Sequence, residues 1–240
     1  MKNDFTKLKF QEIRQLHYEY FLFEDEASPL TEDDIRYLIE AYGGYWKHSG
    51  FANEPHPILR SGMHGGEFFD LSYVAQFSVP TEILSRQLAR KIKTFGHIDW
   101  IIGPSYGASP FVYHLGNIFG CKHAVTEKTS DDKQIWTKYT IDPLERVQLL
   151  EDVITTGGSV FKSMAGIIEG NSKPVFISPI ISAIVNRSGK DEVEGHKIIT
   201  LLKVASPKQW KPEECELCKI GSKAIPNFKI YLAEQPLPEN

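Results

Sequence analysis

Residues 147–160 carry the side chains best suited to chemistry, in the order apolar strand, acids, hydroxyls and glycines. Three of the first four are apolar and predict a buried strand, after which come two carboxylates, Glu151 and Asp152. Residues 155–158 are two threonines and two glycines, and Ser159 is of a type that caps helices. Glycines let a backbone approach a phosphate closely, and the amides of a helix start donate hydrogen bonds to it. The acids would repel a phosphate, so we expect them to accept hydrogen bonds from sugar hydroxyls, directly or through a cation.

Two other phosphate-binding patterns are absent from this stretch. It contains no Gly-Lys-Ser/Thr, as a Walker A loop requires, and no Gly-x-Gly-x-x-Gly, as a dinucleotide site requires. The remaining alternative is an ordinary strand–turn–helix with surface acids. Such a turn does not need two acids, two threonines and two glycines in this order, so the pattern favours a site for a phosphorylated sugar.

This stretch resembles the phosphoribosyl-pyrophosphate signature of type I phosphoribosyltransferases. The resemblance implies an α/β fold, with a parallel sheet covered by helices on both faces and an N-terminal helical or hood layer. It also implies Mg²⁺ as cofactor and a homodimer as the assembly.

A second segment, residues 59–71, reads LRSGMHGGEFFDL. It resembles the N-terminal motif of orotate phosphoribosyltransferases, in which a basic residue and Ser-Gly precede paired phenylalanines. The resemblance implies that Phe68 and Phe69 line the orotate pocket and that Arg60 reaches the pyrophosphate side. A core strand is the alternative for the two phenylalanines, because aromatic side chains are commonly buried.

Two further segments match the same family. Arg187 follows the mostly apolar residues 182–186 and matches the arginine that meets the orotate carboxylate in the family. A planar guanidinium is well shaped to bind that carboxylate. A strand-end surface arginine is the alternative. Residues 103–107, GPSYG, resemble the Gly-Pro loop that bends around the pyrophosphate and contains Tyr106.

The segment 127–138 departs from the family pattern. The family has here a mobile loop, rich in Lys, Arg, His and Gly, that one subunit lends to its neighbour. Lys128 and Lys133 remain as cations, but Glu127 stands in place of the leading arginine, and Gly107 stands in place of a lysine in the Gly-Pro loop. The pyrophosphate side therefore has fewer positive charges than the family pattern.

The resemblance assigns roles residue by residue. Asp152 and Lys128 are the implied catalytic residues, and no side chain is assigned as a metal ligand. The residues implied to bind phosphoribosyl pyrophosphate are Arg60, Tyr106, Lys128, Glu151, Asp152, Val153, Ile154, Thr155, Thr156, Gly157, Gly158 and Ser159. The residues implied to bind orotate are Phe68, Phe69, Thr155 and Arg187.

The elements that must position these residues alternate between strand and helix, which indicates a parallel sheet with helices on both faces. The pattern predicts strands at 98–102, 121–126, 175–185 and 197–204, and helices at 109–119 and 159–169. It also predicts a helix capped by Thr81, and it places Ile168 on the inward face of the helix after the signature. Nearer the start, residues 10–24 form a predicted helix, and Thr31 caps another that ends at Gly43.

Composition excludes several classes of protein. The 240 residues are 41% hydrophobic and 24% charged, with a net charge of −4 and no basic run, so a nucleic-acid partner is not expected. No apolar stretch reaches the ~18 residues of a membrane span, and no signal peptide is evident. We expect a cytoplasmic protein with an N-terminal helical extension over 1–50 and one phosphoribosyltransferase-like domain over 51–240.

Three cysteines give an odd count, which argues against a disulfide framework. Cys215 and Cys218 have metal-ligand spacing, but zinc needs four ligands and the sequence offers no second pair. Cys121 stands alone, and His196 is the nearest histidine along the chain. Free thiols are therefore favoured over a zinc site, and His64 is expected to be solvated.

These observations favour an orotate phosphoribosyltransferase acting on phosphoribosyl pyrophosphate. Two alternatives stay open: a transferase for another base, such as a purine, and a non-catalytic sensor that binds phosphoribosyl pyrophosphate or a nucleotide.

Overall fold

A seven-stranded sheet forms the centre of the fold in the computed structural model, which describes residues 7–15, 29–59, 61–204 and 208–238. The strands are β1 Tyr45–Lys47, β2 His56–Pro57, β3 His64–Gly65, β4 Glu67–Phe69, β5 Trp100–Pro104, β6 Lys122–Lys128, β7 Gln134–Ile135, β8 Arg146–Ile154, β9 Phe176–Asn186, β10 Glu192–Val193, β11 His196–Lys203, β12 Gln209–Trp210 and β13 Ala224–Ile225. The α-helices are α1 Phe10–Arg14, α2 Glu32–Ala41, α3 Ser72–Ala75, α4 Ser78–Ile92, α5 Ser109–Phe119, α6 Gly158–Glu169, α7 Glu216–Lys219 and α8 Phe228–Ala233, with 3-10 turns at Lys93–Phe95 and Pro212–Glu214.

The sheet has the strand order β10-β11-β9-β8-β5-β6-β7. Its five inner strands run parallel, and the short strands β10 and β7 pair antiparallel at the two edges. Parallel strands need crossover connections, and helices provide them between β5 and β6 and between β8 and β9. The carboxyl ends of β5, β8 and β9 therefore meet at one edge of the sheet.

Alternate side chains of each strand enter two separate hydrophobic layers. Ile101 and Leu150 lie in the layer shared with α2, α4 and α5, whereas Ile102 and Leu149 lie in the layer shared with α6. This period-two alternation is what a strand buried on both faces requires. The predicted α/β fold, with a parallel sheet and helices on both faces, is confirmed.

The remaining short strands form a second layer from two distant parts of the chain. β1 pairs with β4, while β12 pairs with β3 and β13 pairs with β2. The residues after β11 thus return to the segment that follows the N-terminal helices. We call this layer, residues 45–69 together with 208–228, the hood.

Most predicted elements are present with shifted bounds. The helix at 109–119 is confirmed, and Thr31 caps α2 as predicted, its Oγ1 accepting a hydrogen bond from the Asp34 amide at 3.2 Å. The predicted helix at 10–24 is described only for Phe10–Arg14, since residues 16–28 lie outside the described residues. Among the described residues no helix is long and apolar enough to cross a membrane.

Four local predictions are wrong, each for a physical reason. Thr81 does not cap a helix; it lies inside α4, where its hydroxyl donates to the Phe77 carbonyl at 2.6 Å. Ser159 is not the N-cap of α6, because Gly157 takes that position. The acids do not follow the strand but belong to it, since β8 continues to Ile154. Ile168 is 54% exposed rather than inward.

Candidate active site

The carboxyl edge of the sheet gathers the segments that the sequence singled out. The turn at 155–157 follows β8, residues 105–107 of the Gly-Pro loop follow β5, and Arg187 follows β9. The Arg187 amide donates to the Ile154 carbonyl at 2.7 Å, which joins two of these segments. In open α/β sheets ligands bind at this edge, so the predicted residues lie where the fold places a ligand site.

The turn before α6 has the backbone of an anion cradle. Gly157 adopts φ +82°, and a Cβ there would lie 2.7 Å from the Phe161 ring, so only glycine fits without a shift. The Gly158 amide donates to the Thr156 hydroxyl at 3.4 Å, and the side chains of 155 and 156 are exposed. The backbone amides at the start of this twelve-residue helix and the exposed side chains of Thr155 and Thr156 suit a phosphate.

The two acids occupy different environments. Glu151 is buried at 6% exposure, whereas Asp152 is partly exposed and accepts a hydrogen bond from the Val153 amide at 2.9 Å. Burial, and then the neighbouring Asp152 carboxylate, raise the pKa of Glu151 well above its ordinary value. Glu151 can therefore hold a proton and donate it in a hydrogen bond to Asp152.

Gly107 explains how the Gly-Pro loop accommodates that acid. A Cβ at this position would overlap the Asp152 carboxylate. The neighbouring Tyr106 is 85% exposed, and its peptide bond to Ser105 is cis. The lysine that the family pattern has at this position would need Asp152 to move.

The segment 127–138 is a short hairpin in which the cations pair with the segment's own acids. Lys128 Nζ lies 2.6 Å from Asp132, which also pairs with Lys162 of α6. Those two lysines lower the pKa of Asp132 to about 2. The Lys128 amide also donates to the Ser105 hydroxyl at 3.2 Å, so this lysine stands beside the Gly-Pro loop.

Buried side chains hold the rest of this hairpin against α6. Trp136 is 5% exposed, and Gln134 accepts a hydrogen bond from the buried Thr126 hydroxyl at 2.8 Å. Thr126 in turn lies 2.8 Å from the Ser163 hydroxyl of α6. These contacts could not be predicted from the sequence of this stretch, because they depend on how the hairpin folds and packs against α6.

The structure brings Arg187 to Phe69 but separates the two phenylalanines. The Arg187 guanidinium lies 5.2 Å from the centre of the buried Phe69 ring, whereas Phe68 packs edge-on against Phe228 at 5.5 Å. Neighbouring residues of a strand point to opposite faces, so Phe68 and Phe69 cannot share one pocket wall. Of the two, Phe69 is the aromatic residue placed with the arginine.

Arg187 has the character of an anion-binding group. Its Nε is buried and has no hydrogen-bond partner within the described part of the chain. Burial lowers the pKa of Arg187, while Glu67 and Tyr45 act in the opposite direction. A guanidinium keeps its charge in proteins, so a carboxylate ligand would compensate it here. Arg60 lies outside the described residues, and its role stays a prediction.

Sequence reasoning missed a cluster in the hood. His56 and His64 meet Cys215 and Cys218, and the expectation that His64 is solvated is wrong, because it is 7% exposed. His196 lies elsewhere and packs against Phe161. Both histidines belong to the segment that the C-terminal strands cover. Only the tertiary fold reveals this position, so the sequence alone gave no usable signal for the histidines.

Comparison with solved structures gives the fold class. The chain is similar to the crystal structure of orotate phosphoribosyltransferase from Aeropyrum pernix, with a TM-score of 0.53 at 15% identity over 70% of this chain and 93% of that one. It is also similar to the structure of Leishmania donovani UMP synthase, with a TM-score of 0.55 at 15% identity over 75% of this chain and 37% of that one. At these identities the likeness shows the fold. Fold and site together define a type I phosphoribosyltransferase.

Sequence relatives give the family. The chain is 31% identical to the orotate phosphoribosyltransferase of Caldicellulosiruptor bescii over 182 residues, which are 76% of this chain and 93% of the relative. It is 32% identical to that of Caldicellulosiruptor saccharolyticus over 182 residues, covering 76% and 92%. No family model matches the chain. These relatives show that it belongs to the orotate phosphoribosyltransferase family.

Proposed function

We propose that the protein transfers ribose 5-phosphate from phosphoribosyl pyrophosphate to orotate, giving orotidine 5′-phosphate and pyrophosphate. One observation carries this proposal: the anion cradle, Asp152 and the Phe69–Arg187 pair stand at or beside a single sheet edge. A phosphate, a ribose and a carboxylate-bearing base are the three parts that such a site would hold together.

The residues of the signature would bind the sugar. The amides and hydroxyls of 155–159 would hold the 5-phosphate, and Asp152 would accept hydrogen bonds from the ribose hydroxyls. The ribose carbon is expected to gain oxocarbenium character as the bond to pyrophosphate breaks, so no nucleophilic side chain is required. Holding both substrates in line is then the main contribution of the protein.

The pyrophosphate side would combine protein cations with Mg²⁺. Mg²⁺ usually binds one or two carboxylates together with substrate phosphates, and Asp152 supplies a partly exposed carboxylate at this edge, so the donor set fits. When bound, Mg²⁺ would neutralise charge on the departing diphosphate. Lys128 and Arg60 would add positive charge on the same side.

The base would lie beside the Phe69–Arg187 pair. Orotate has a carboxylate that uracil lacks, and the guanidinium can grip that group with two parallel hydrogen bonds. Thr155, at the start of the cradle, would contact the base from the sugar side. We also propose a homodimer in the cytoplasm, which rests on the family resemblance.

Pyrophosphate release tests the proposal. The protein is mixed with Mg²⁺, phosphoribosyl pyrophosphate and, in separate reactions, orotate, uracil, adenine or hypoxanthine. We expect release with orotate and none above background with uracil, its matched control. Release with a purine alone would assign a different base.

The sensor alternative has one specific observation in its favour, the pairing of Lys128 with Asp132. It predicts that phosphoribosyl pyrophosphate binds in a calorimetric titration although no base in the panel releases pyrophosphate. The two experiments together separate the transferase from the sensor.

A further inference from the structure

Four side chains with metal-binding atoms converge in the hood, away from the acids of the sheet edge. His56 and His64 come from β2 and β3, and Cys215 and Cys218 lie at the start of α7. Their ligand atoms all lie within 4.8 Å of one another. His56 and Cys215 are 0% and 1% exposed. The cluster thus joins the two distant parts of the chain that make up the hood.

Four of the six distances between these atoms are close to those of a tetrahedral ligand shell. Zn–N bonds of about 2.0–2.1 Å and Zn–S bonds of about 2.3 Å give tetrahedron edges of roughly 3.3 Å between nitrogens and roughly 3.5 Å between nitrogen and sulfur. The separation between His56 Nε2 and His64 Nδ1 is 3.2 Å. His56 Nε2 lies 3.5 Å from each cysteine sulfur, and His64 Nδ1 lies 3.3 Å from Cys218 Sγ.

Hydrogen bonding alone does not account for this packing. An imidazole nitrogen carries either one proton or one lone pair in the plane of its ring. His56 Nε2 nevertheless has three polar neighbours within 3.5 Å, namely His64 and both cysteines. A central cation satisfies all four atoms at once, whereas pairwise hydrogen bonds use only one of the three neighbours of His56 Nε2.

The surroundings prepare the atoms as ligands. The Ser222 hydroxyl donates to the Glu54 carbonyl at 2.7 Å and lies 2.7 Å from His56 Nδ1. The Ser222 oxygen therefore accepts a hydrogen bond from the Nδ1–H group of His56, and the lone pair of His56 Nε2 points into the cluster. The Cys218 amide lies 3.5 Å from the Cys215 sulfur and donates to it.

We propose that His56, His64, Cys215 and Cys218 bind one structural Zn²⁺ ion. Two thiolates and two imidazoles are a donor set for zinc, and four protein ligands leave no position open for a substrate. The ion would fasten the C-terminal segment to β2 and β3. Phe69 follows His64 by five residues, so the ion would also fix the strand that presents the proposed base-binding aromatic residue.

Metal analysis of the purified wild-type protein is the decisive test, and it does not depend on activity. The protein is expressed with added zinc, desalted and measured by plasma mass spectrometry alongside a thiol titration. We expect about one zinc ion per chain and protection of the two ligand thiols until a chelator is added. Replacement by Co²⁺ should give the intense visible absorption of a tetrahedral thiolate site. A folded wild-type protein without bound metal, or with a Cys215–Cys218 disulfide, would overturn the proposal.

Variants assign the ion to these residues. Cys218→Ser and His64→Ala should each lower the zinc content at least about fivefold, since three ligands hold the ion less tightly. Cys121→Ser is the matched control, because this third cysteine lies outside the cluster, and its zinc content should equal that of the wild type. Circular dichroism checks that each variant is folded. If Cys218→Ser is folded and keeps a full equivalent of zinc, the assignment is wrong.

Discussion

Replacing Arg187 by alanine should weaken orotate binding while sparing phosphoribosyl pyrophosphate. The guanidinium stands 5.2 Å from the Phe69 ring, and its Nε has no partner among the described residues. A hydrogen bond to a charged group contributes about 1.5–3 kcal/mol, and each 1.4 kcal/mol is tenfold in affinity. Arg187→Ala should therefore raise the Kd for orotate roughly 10- to 100-fold.

Calorimetric titration of each ligand into wild type and variant measures this effect. Arg187→Lys should give an intermediate loss, because lysine keeps the charge but not the two-pronged geometry. Arg146→Ala is the matched control: its Nε is likewise buried without a partner in the part of the chain described, but it lies at the opposite end of β8. Unchanged orotate affinity in Arg187→Ala, or an equal loss for both ligands, would refute the reasoning.

Three further substitutions probe the sugar site. Gly157→Ala should lower the free energy of unfolding by roughly 2–4 kcal/mol in a denaturant titration, because positive φ and overlap with Phe161 add. Asp152→Asn should reduce turnover about a hundredfold or more with little change in melting temperature, since this partly exposed acid serves the ligand rather than the core. Asp132→Asn should free Lys128 and lower the KM for phosphoribosyl pyrophosphate roughly two- to fivefold at low salt.

Matched control variants and the pH dependence of the Asp132 ion pairs distinguish these effects from a general loss of folding. Gly120→Ala has φ +61° but no atom within 4 Å of the added Cβ, so it should show only the backbone cost. Asp131→Asn, which releases Lys133 instead, should leave that KM unchanged. The pKa of Asp132 is depressed to about 2, so its ion pairs contribute fully above the ordinary aspartate range and are lost only as pH falls toward 2. A KM that changed equally in both aspartate variants would contradict the assigned pairing.

The sheet could be predicted from sequence because local signals and tertiary packing agree there. The types and spacing of residues close together in the sequence indicate both the strand β8 and the helix α6 that follows it. Thr81 shows where local signals fail: a hydroxyl that can cap a helix can equally bond the carbonyl four residues earlier, and the burial of α4 decides between them. The sequence pattern predicts that the two acids follow the strand, because charged residues seldom occur within buried strands. Glu151 nevertheless lies within β8, where its pKa is raised.

The candidate site divides in the same way. The cradle and the strand-end arginine follow from contiguous motifs, so their positions could be predicted. The packing of Phe68 against Phe228 and the meeting of His56 with Cys215 depend on how distant segments pack. Such contacts leave no periodic pattern in a single sequence.

The hood has a consequence for biosynthesis of the protein on the ribosome. Because β12 and β13 complete the hood by pairing with β3 and β2, strands that are translated late finish a layer begun by strands that are translated early. The central sheet can form from a nascent chain that ends near Lys203, but β2 and β3 then still lack their partner strands. A ribosome that stops before residue 208 would therefore release a chain with a sugar-phosphate cradle and an unfinished cover over the base.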